Sequence, residues 1–215
     1  MRLDSRLVLA LDETDHDRAM WVLDQVADYV DAVKINWPLV LSYGPGIIDE
    51  LSRSSDVICD FKVADIPNTV SLIVSQSVKR GASAVIVHAF PGDDSLQAAV
   101  QASGDAEVYA VTEMSHPGAV RFTAPHAEEM ARMAMQCGVD GFIAPATRPD
   151  RLRAIRYLVG DKKILSPGVG AQGGSASAAL QAGATYVIVG RAIYGADDPA
   201  AVARSLVKEI ESLPL

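Results

Sequence analysis

Asp60 and Lys62 close an apolar run, Asp56–Lys62, and Asp65 follows three residues later. Side chains alternate along a strand, so a strand here turns Asp60 and Lys62 to one face and Cys59 and Phe61 to the other. The same parity puts Asp12 on the side of Ala10 and Val8, and turns Lys34 away from Val33 and Ile35. Four charged groups then converge on one mouth. Charges taken out of water are costly unless paired, so an alternating Asp/Lys array needs a reason. Held fixed, it would let Lys62 donate a proton and stabilise a developing anion. The alternative is a structural ion-pair network plugging a barrel, which would more naturally sit at the opposite, N-terminal face.

The segment Ser166-Pro167-Gly168-Val169-Gly170-Ala171-Gln172-Gly173-Gly174 contains GxGxxG at Gly168, Gly170 and Gly173. A dinucleotide site needs that motif after the first strand and an acidic residue ending the next strand. Here it lies late in the chain, and the next apolar run ends in Gly190-Arg191. A phosphate site suits it better, built from two successive loops, a helix N-terminus, backbone N–H groups and Arg191. A Gly-rich turn beside a surface arginine is the other reading. His16, His88, His116 and His126 show no HxH or HExxH spacing, and neither a metal set nor a Ser/His/Asp signature emerges. His88 ends an apolar run and could line the mouth, a satisfied structural histidine being the commoner case.

Short Val/Ile-rich runs alternate with helical periodicity along the whole chain. The strand candidates are Arg6–Asp12, Asp31–Asn36, Asp56–Lys62, Ser83–His88, Glu107–Thr112, Asp140–Ala144, Lys163–Ser166 and Thr185–Gly190. They begin roughly 22 to 27 residues apart, except for one gap of about 33. In the first intervening helix Ala19, Val22, Leu23, Val26 and Val30 fall on one side, after a capping signal in Thr14-Asp15-His16-Asp17. In the last, Asp198 can cap, Pro199 suits the first turn, and Val202, Leu206 and Ile210 share a face. Eight such units without a linker-like composition shift predict one (β/α)8 barrel over residues 1–215, rather than an open doubly wound sheet. Active sites of that fold sit at the C-terminal ends of the strands, and the wide gap holds Met114-Ser115-His116-Pro117-Gly118-Ala119, long enough for a lid.

With 215 residues, 49% hydrophobic and 21% charged, the chain has the composition of a globular domain. A net charge of −8 argues against nucleic-acid polymers and anionic membranes. It does not exclude a phosphate, because Arg191, loop amides and the mouth lysines make a local positive site. Cys59 and Cys137 stand far apart with no CxxC companion, and no apolar stretch suits a signal peptide or a membrane span. A cytoplasmic chain is expected.

Asp60-Phe61-Lys62-Val63-Ala64-Asp65-Ile66-Pro67-Asn68-Thr69 resembles the DxKxxDIxxT signature of the orotidine 5′-monophosphate decarboxylases, in their short archaeal-like form. LALD ending at Asp12, Lys34, TEMSHPGA from Thr112, PGVGAQGG from Pro167 and VGRAIY from Val189 follow in family order. The resemblance implies decarboxylation of orotidine 5′-monophosphate to uridine 5′-monophosphate in pyrimidine synthesis, without cofactor or metal. It assigns Lys62 as the charge and proton donor at C6, Asp60 and Asp65 as the carboxylates that hold Lys62 in its charged form, Asp60 also crowding the departing carboxylate, and Lys34 as the completion of that network. Lys34 and Asp12 would reach the ribose, and Ser115 and Gln172 the pyrimidine. Gly190 and Arg191 would bind the phosphate, with Pro167, Gly168, Val169 and the backbone from Gln172 through Gly173 to Gly174 nearby. The family resemblance further implies a homodimer whose second subunit supplies Asp65, Ile66 and Thr69. Related 3-hexulose-6-phosphate synthases share DxKxxD, so a metal-dependent lyase of that type is one alternative, and a catalytically silent nucleotide-binding barrel is another.

Overall fold

The computed structural model describes residues 1, 3–170 and 172–214, so Ala171 of the Gly-rich segment lies outside the described residues. Its first half runs β1 (Leu7–Leu11), α1 (His16–Val26), β2 (Ala32–Ile35), α2 (Trp37–Tyr43), α3 (Gly46–Leu51), β3 (Val57–Val63), α4 (Pro67–Lys79), β4 (Ala82–His88) and α5 (Asp93–Ala102). The second continues with β5 (Glu107–Val111), α6 (Ala119–Phe122), a 3-10 turn (Ala124–His126), α7 (Ala127–Cys137), β6 (Gly141–Ile143) and α8 (Pro149–Val159). It ends with β7 (Lys163–Pro167), α9 (Ala176–Gln181), β8 (Tyr186–Val189), α10 (Arg191–Tyr194) and α11 (Pro199–Glu211). The eight strands pair in parallel and in chain order, and β8 returns to β1 to close the barrel. All eight strand candidates are found, with ends shifted by a residue or so. No helix among the described residues is long and apolar enough to cross a membrane.

Strand parity sorts the core into two layers. Val8, Ala10, Ala32, Ile58, Ala84, Ile86, Val111, Ile143, Leu165 and Ile188 fill the barrel. Leu7, Leu9, Leu11, Val33, Ile35, Cys59 and Phe61 pack outward against the helices. Burial there pushes the Cys59 thiol up to about 12, so it is an inert core group. Both predicted caps form: the Asp15 carboxylate accepts from Arg18 N–H and that of Asp198 from Ala201 N–H. In α11, Ala203 joins Ile210 as a buried contact, with Val202 and Leu206 only partly covered.

A charged plug does exist, at the N-terminal face of the barrel and not at the mouth. The Glu107 carboxylate accepts from Lys163 Nζ at 2.6 Å, from the Met1 amine at 3.0 Å, and from the fully buried Tyr109 hydroxyl. Gly141 makes room for it, since a Cβ there would fall 2.6 Å from the Tyr109 ring. Burial alone would raise the Glu107 carboxyl, but its three donors hold it below the ordinary carboxylate range. A depressed carboxyl contributes stability above its unfolded pKa and loses it as pH falls through the folded one. Glu107→Gln should therefore cost roughly 1–3 kcal/mol at neutral pH, read as a lower melting temperature. The gap to the parent should narrow as the pH is lowered through the carboxylate range.

Candidate active site

The C-terminal ends of the strands surround a cavity of about 230 Å³. Its charged wall is a chain of alternating signs. Lys34 Nζ lies 3.7 Å from Asp12 and 3.1 Å from Asp60, and Lys62 Nζ lies 2.8 Å from each Asp60 oxygen. Asp60 and Lys34 are buried, whereas the Lys62 side chain keeps 32% exposure and faces the cavity. Burial by itself would raise the Asp60 carboxyl, but the flanking Lys34 and Lys62 charges hold it below its usual range. Asp60 is thus an anion that neutralises two cations, one of which remains open to a ligand.

Simple alternation does not account for Lys62. Pairing of β3 with β2 ends at Ile35↔Cys59, and pairing with β4 jumps from Cys59↔Val85 to Val63↔Val87. Residues 60–62 therefore bulge from the ladder, and Lys62 adopts φ +46°, in the left-handed region. Such a conformation in a residue with a Cβ costs roughly 1–3 kcal/mol, and such strain gathers at sites that need a side chain re-aimed. The bulge delivers Lys62 to the mouth beside Asp60.

Asp12, Ser115, Pro167, Gly168, Val169, Gln172, Gly190 and Arg191 line the same cavity. Arg191 begins α10, is exposed, and has no ion-pair partner among the described residues. The loop amides behave otherwise than expected. Gly173 N–H donates to the Gly170 carbonyl at 2.7 Å and Gly174 N–H to that of Gly168 at 3.0 Å, so both are engaged inside the turn. A Cβ at Gly174 would lie 2.7 Å from the Gly168 carbonyl, which explains glycine there. Gly173 itself is not on the cavity wall.

Asp65, Ile66 and Thr69 are not brought to this cavity within one chain. The Asp65 carboxylate accepts from Ile66 N–H at 2.7 Å, Ile66 is 65% exposed, and Thr69 sits in the first turn of α4. His88 is also off the wall, with its ring against Phe90 and Nδ1 unpartnered among the described residues, so it is not the satisfied histidine expected. Burial, and then the Lys62 charge, lower its pKa to about 4, which keeps it neutral. No group of three or more His, Cys, Asp or Glu suited to a metal occurs among the described residues.

The model for the orotidine 5′-phosphate decarboxylase / HUMPS family matches residues 5–206. The chain belongs to this family. It is 49% identical to an orotidine 5′-phosphate decarboxylase of Methanococcoides burtonii, over 98% of this chain and 99% of that one. It is 47% identical to the Thermococcus kodakarensis protein of the same name, over 96% of this chain and 97% of that one. The orotidine 5′-phosphate decarboxylase structure from Pyrococcus horikoshii superposes with a TM-score of 0.90 at 44% identity, covering 96% of this chain and 100% of that chain. The Methanocaldococcus jannaschii orotidine 5′-monophosphate decarboxylase, solved with the inhibitor BMP, gives 0.89 at 45%, covering 94% and 96%.

Several residues of this decarboxylase-family cavity were not singled out in the sequence. Ile86, Val111, Ile143 and Ile188 make its apolar floor, and Asn36, Met114, Pro145 and Tyr194 its sides. Glu113, 3% exposed, accepts from Arg148 Nη1 at 2.6 Å and from Arg151 Nε at 2.8 Å. The two arginines also donate to the His116 and Ala124 carbonyls, so they tie down the segment between those residues. That segment is partly helical, through α6 and the 3-10 turn. TEMSHPGA contains Glu113, but nothing in its spacing points to arginines 35 and 38 residues away.

Proposed function

We propose that this chain decarboxylates orotidine 5′-monophosphate to uridine 5′-monophosphate and CO2, with Lys62 as the charge that stabilises C6 and the acid that protonates it. The observation that carries this reading is the Lys62 ammonium, held 2.8 Å from both Asp60 oxygens and still open to the cavity. Cleavage of the C6–carboxylate bond leaves its electron pair at C6 in the plane of the ring, where no π system delocalises it. A fixed cation at that point lowers the barrier, because it needs no reorganisation as charge develops. The Lys62 proton then passes to C6, and the lysine regains one from water. Asp60 orients Lys62 and disfavours the substrate carboxylate beside it, while the apolar floor offers that carboxylate no hydration.

Asp12 and Lys34 hold the ribose, Ser115 and Gln172 the pyrimidine, and Arg191 with Gly190 the phosphate. Phosphate binding, remote from C6, assembles the lid over the site. A second copy of the chain completes it with Asp65, Ile66 and Thr69, whose outward placement on the β3–α4 loop and α4 supports a homodimer with shared sites. Residues 1–215 act as one catalytic barrel, in the reducing cytoplasm where two free cysteines are stable. The full-length identity to relatives named as decarboxylases supports this reading over the synthase side of the family.

The test is loss of orotidylate ultraviolet absorbance in the presence of excess chelator. Turnover should persist. Unchanged absorbance would favour the alternatives, which a metal-dependent, chelator-sensitive cleavage of a hexulose 6-phosphate would then separate into the lyase and a silent nucleotide-binding barrel.

A further inference from the structure

The strained lysine is braced from outside the charge array. Trp37, at the first position of α2, donates its indole Nε1–H to the Phe61 carbonyl at 3.1 Å, and its ring stacks on Phe61 with centroids 4.6 Å apart. That carbonyl belongs to the bulge, which lies just past the end of the pairing with β2 and where register with β4 lapses between Cys59 and Val63. The bonded carbonyl is part of the peptide unit that joins Phe61 to Lys62. With Val63 paired again to β4 on the far side, holding that plane restrains the rotation about the Lys62 N–Cα bond, which stands at +46°. Trp37 is itself held, since its backbone N–H donates to the Asn36 side chain at 2.7 Å. It also follows Lys34 by three residues, so the end of β2 and the start of α2 fix both lysines, one directly and one through its backbone.

We propose that Trp37 is a positioning residue for Lys62, acting through the Phe61 carbonyl to hold the bulge in the one conformation that aims the ammonium at C6. It touches no reacting atom and is not on the cavity wall. Its loss should therefore slow the chemical step and spare nucleotide binding. The inference rests on the decarboxylation reading above, and parent turnover is the control that separates the two.

Two substitutions remove the N–H donor: Trp37→Phe, which keeps an aromatic ring over Phe61, and replacement of Trp37 by 3-benzothienylalanine, which keeps the bicyclic shape. Single-turnover decarboxylation by each should be roughly 10- to 100-fold slower, the scale expected when a catalytic group is slightly misplaced. The UMP dissociation constant should stay within about twofold of the parent, because uniform binding is untouched. A rate unchanged in the benzothienyl variant would overturn the inference even if Trp37→Phe were slow, since ring shape and not the hydrogen bond would then be responsible. Weakened UMP binding in proportion to the rate would overturn it as well, marking a general structural role. A parent protein that leaves orotidylate intact would overturn the proposed function, and this inference with it.

Discussion

Lys62→Ala should lower decarboxylation by roughly four to seven orders of magnitude, while UMP still binds measurably. The size follows from removing two contributions at once, roughly 10²–10⁴-fold for a positioned proton donor and about 10²–10³-fold for a preorganised charge. The fold should survive the change. Asp60 would keep Lys34 at 3.1 Å, so no buried carboxylate is left without a cation, and the strain at φ +46° arises from a Cβ that alanine also carries, so the substitution adds none. Single-turnover rates, UMP titration and a melting curve on one preparation separate these effects. A variant that retained decarboxylation within about tenfold of the parent would show that the Asp60–Lys62 pair is structural and that another group protonates C6.

Arg191→Ala should act on affinity. The guanidinium lines the cavity, exposed and without an ion-pair partner among the described residues, so its removal breaks no ion pair and should leave the melting temperature unchanged. Charge-assisted hydrogen bonds contribute about 1.5–3 kcal/mol, so kcat/KM should fall roughly 10- to 100-fold. The Gly173 and Gly174 amides already donate within their own turn, which places more of the phosphate recognition on Arg191 than a freely presented amide cradle would. The decisive comparison is UMP against uridine. In the parent the phosphate should strengthen binding strongly, and in Arg191→Ala that advantage should shrink by the same factor as kcat/KM. An unchanged ratio of the two affinities would remove Arg191 from the phosphate site.

Most of the barrel was legible because its determinants are local. Each strand candidate is a short Val/Ile-rich run, parity assigns its inward residues, and Val8, Ala10 and Ile58 fill the barrel as that parity requires. Asp15 and Asp198 cap because a carboxylate before a helix meets free N–H groups whatever the surrounding fold. The acidic net charge likewise proved uninformative about the site, since Lys34, Lys62 and Arg191 gather at one mouth of a protein of charge −8.

What the sequence determined by itself, then, is the order of eight parallel strands, the face on which Asp12, Lys34 and Asp60 emerge, and, through its motifs, the family. Only the tertiary structure decided how Lys62 is aimed. A bulge arises where β3 loses register with β4 just past the end of its pairing with β2, and no local pattern in Asp60-Phe61-Lys62 announces it. The Trp37 brace joins residues 24 apart, the Glu113 clamp joins residues 35 and 38 apart, and the Glu107–Lys163 plug joins residues 56 apart. Such contacts depend on closure of the barrel, which sets side chains from distant strands and loops against one another at distances that neither periodicity nor composition encodes.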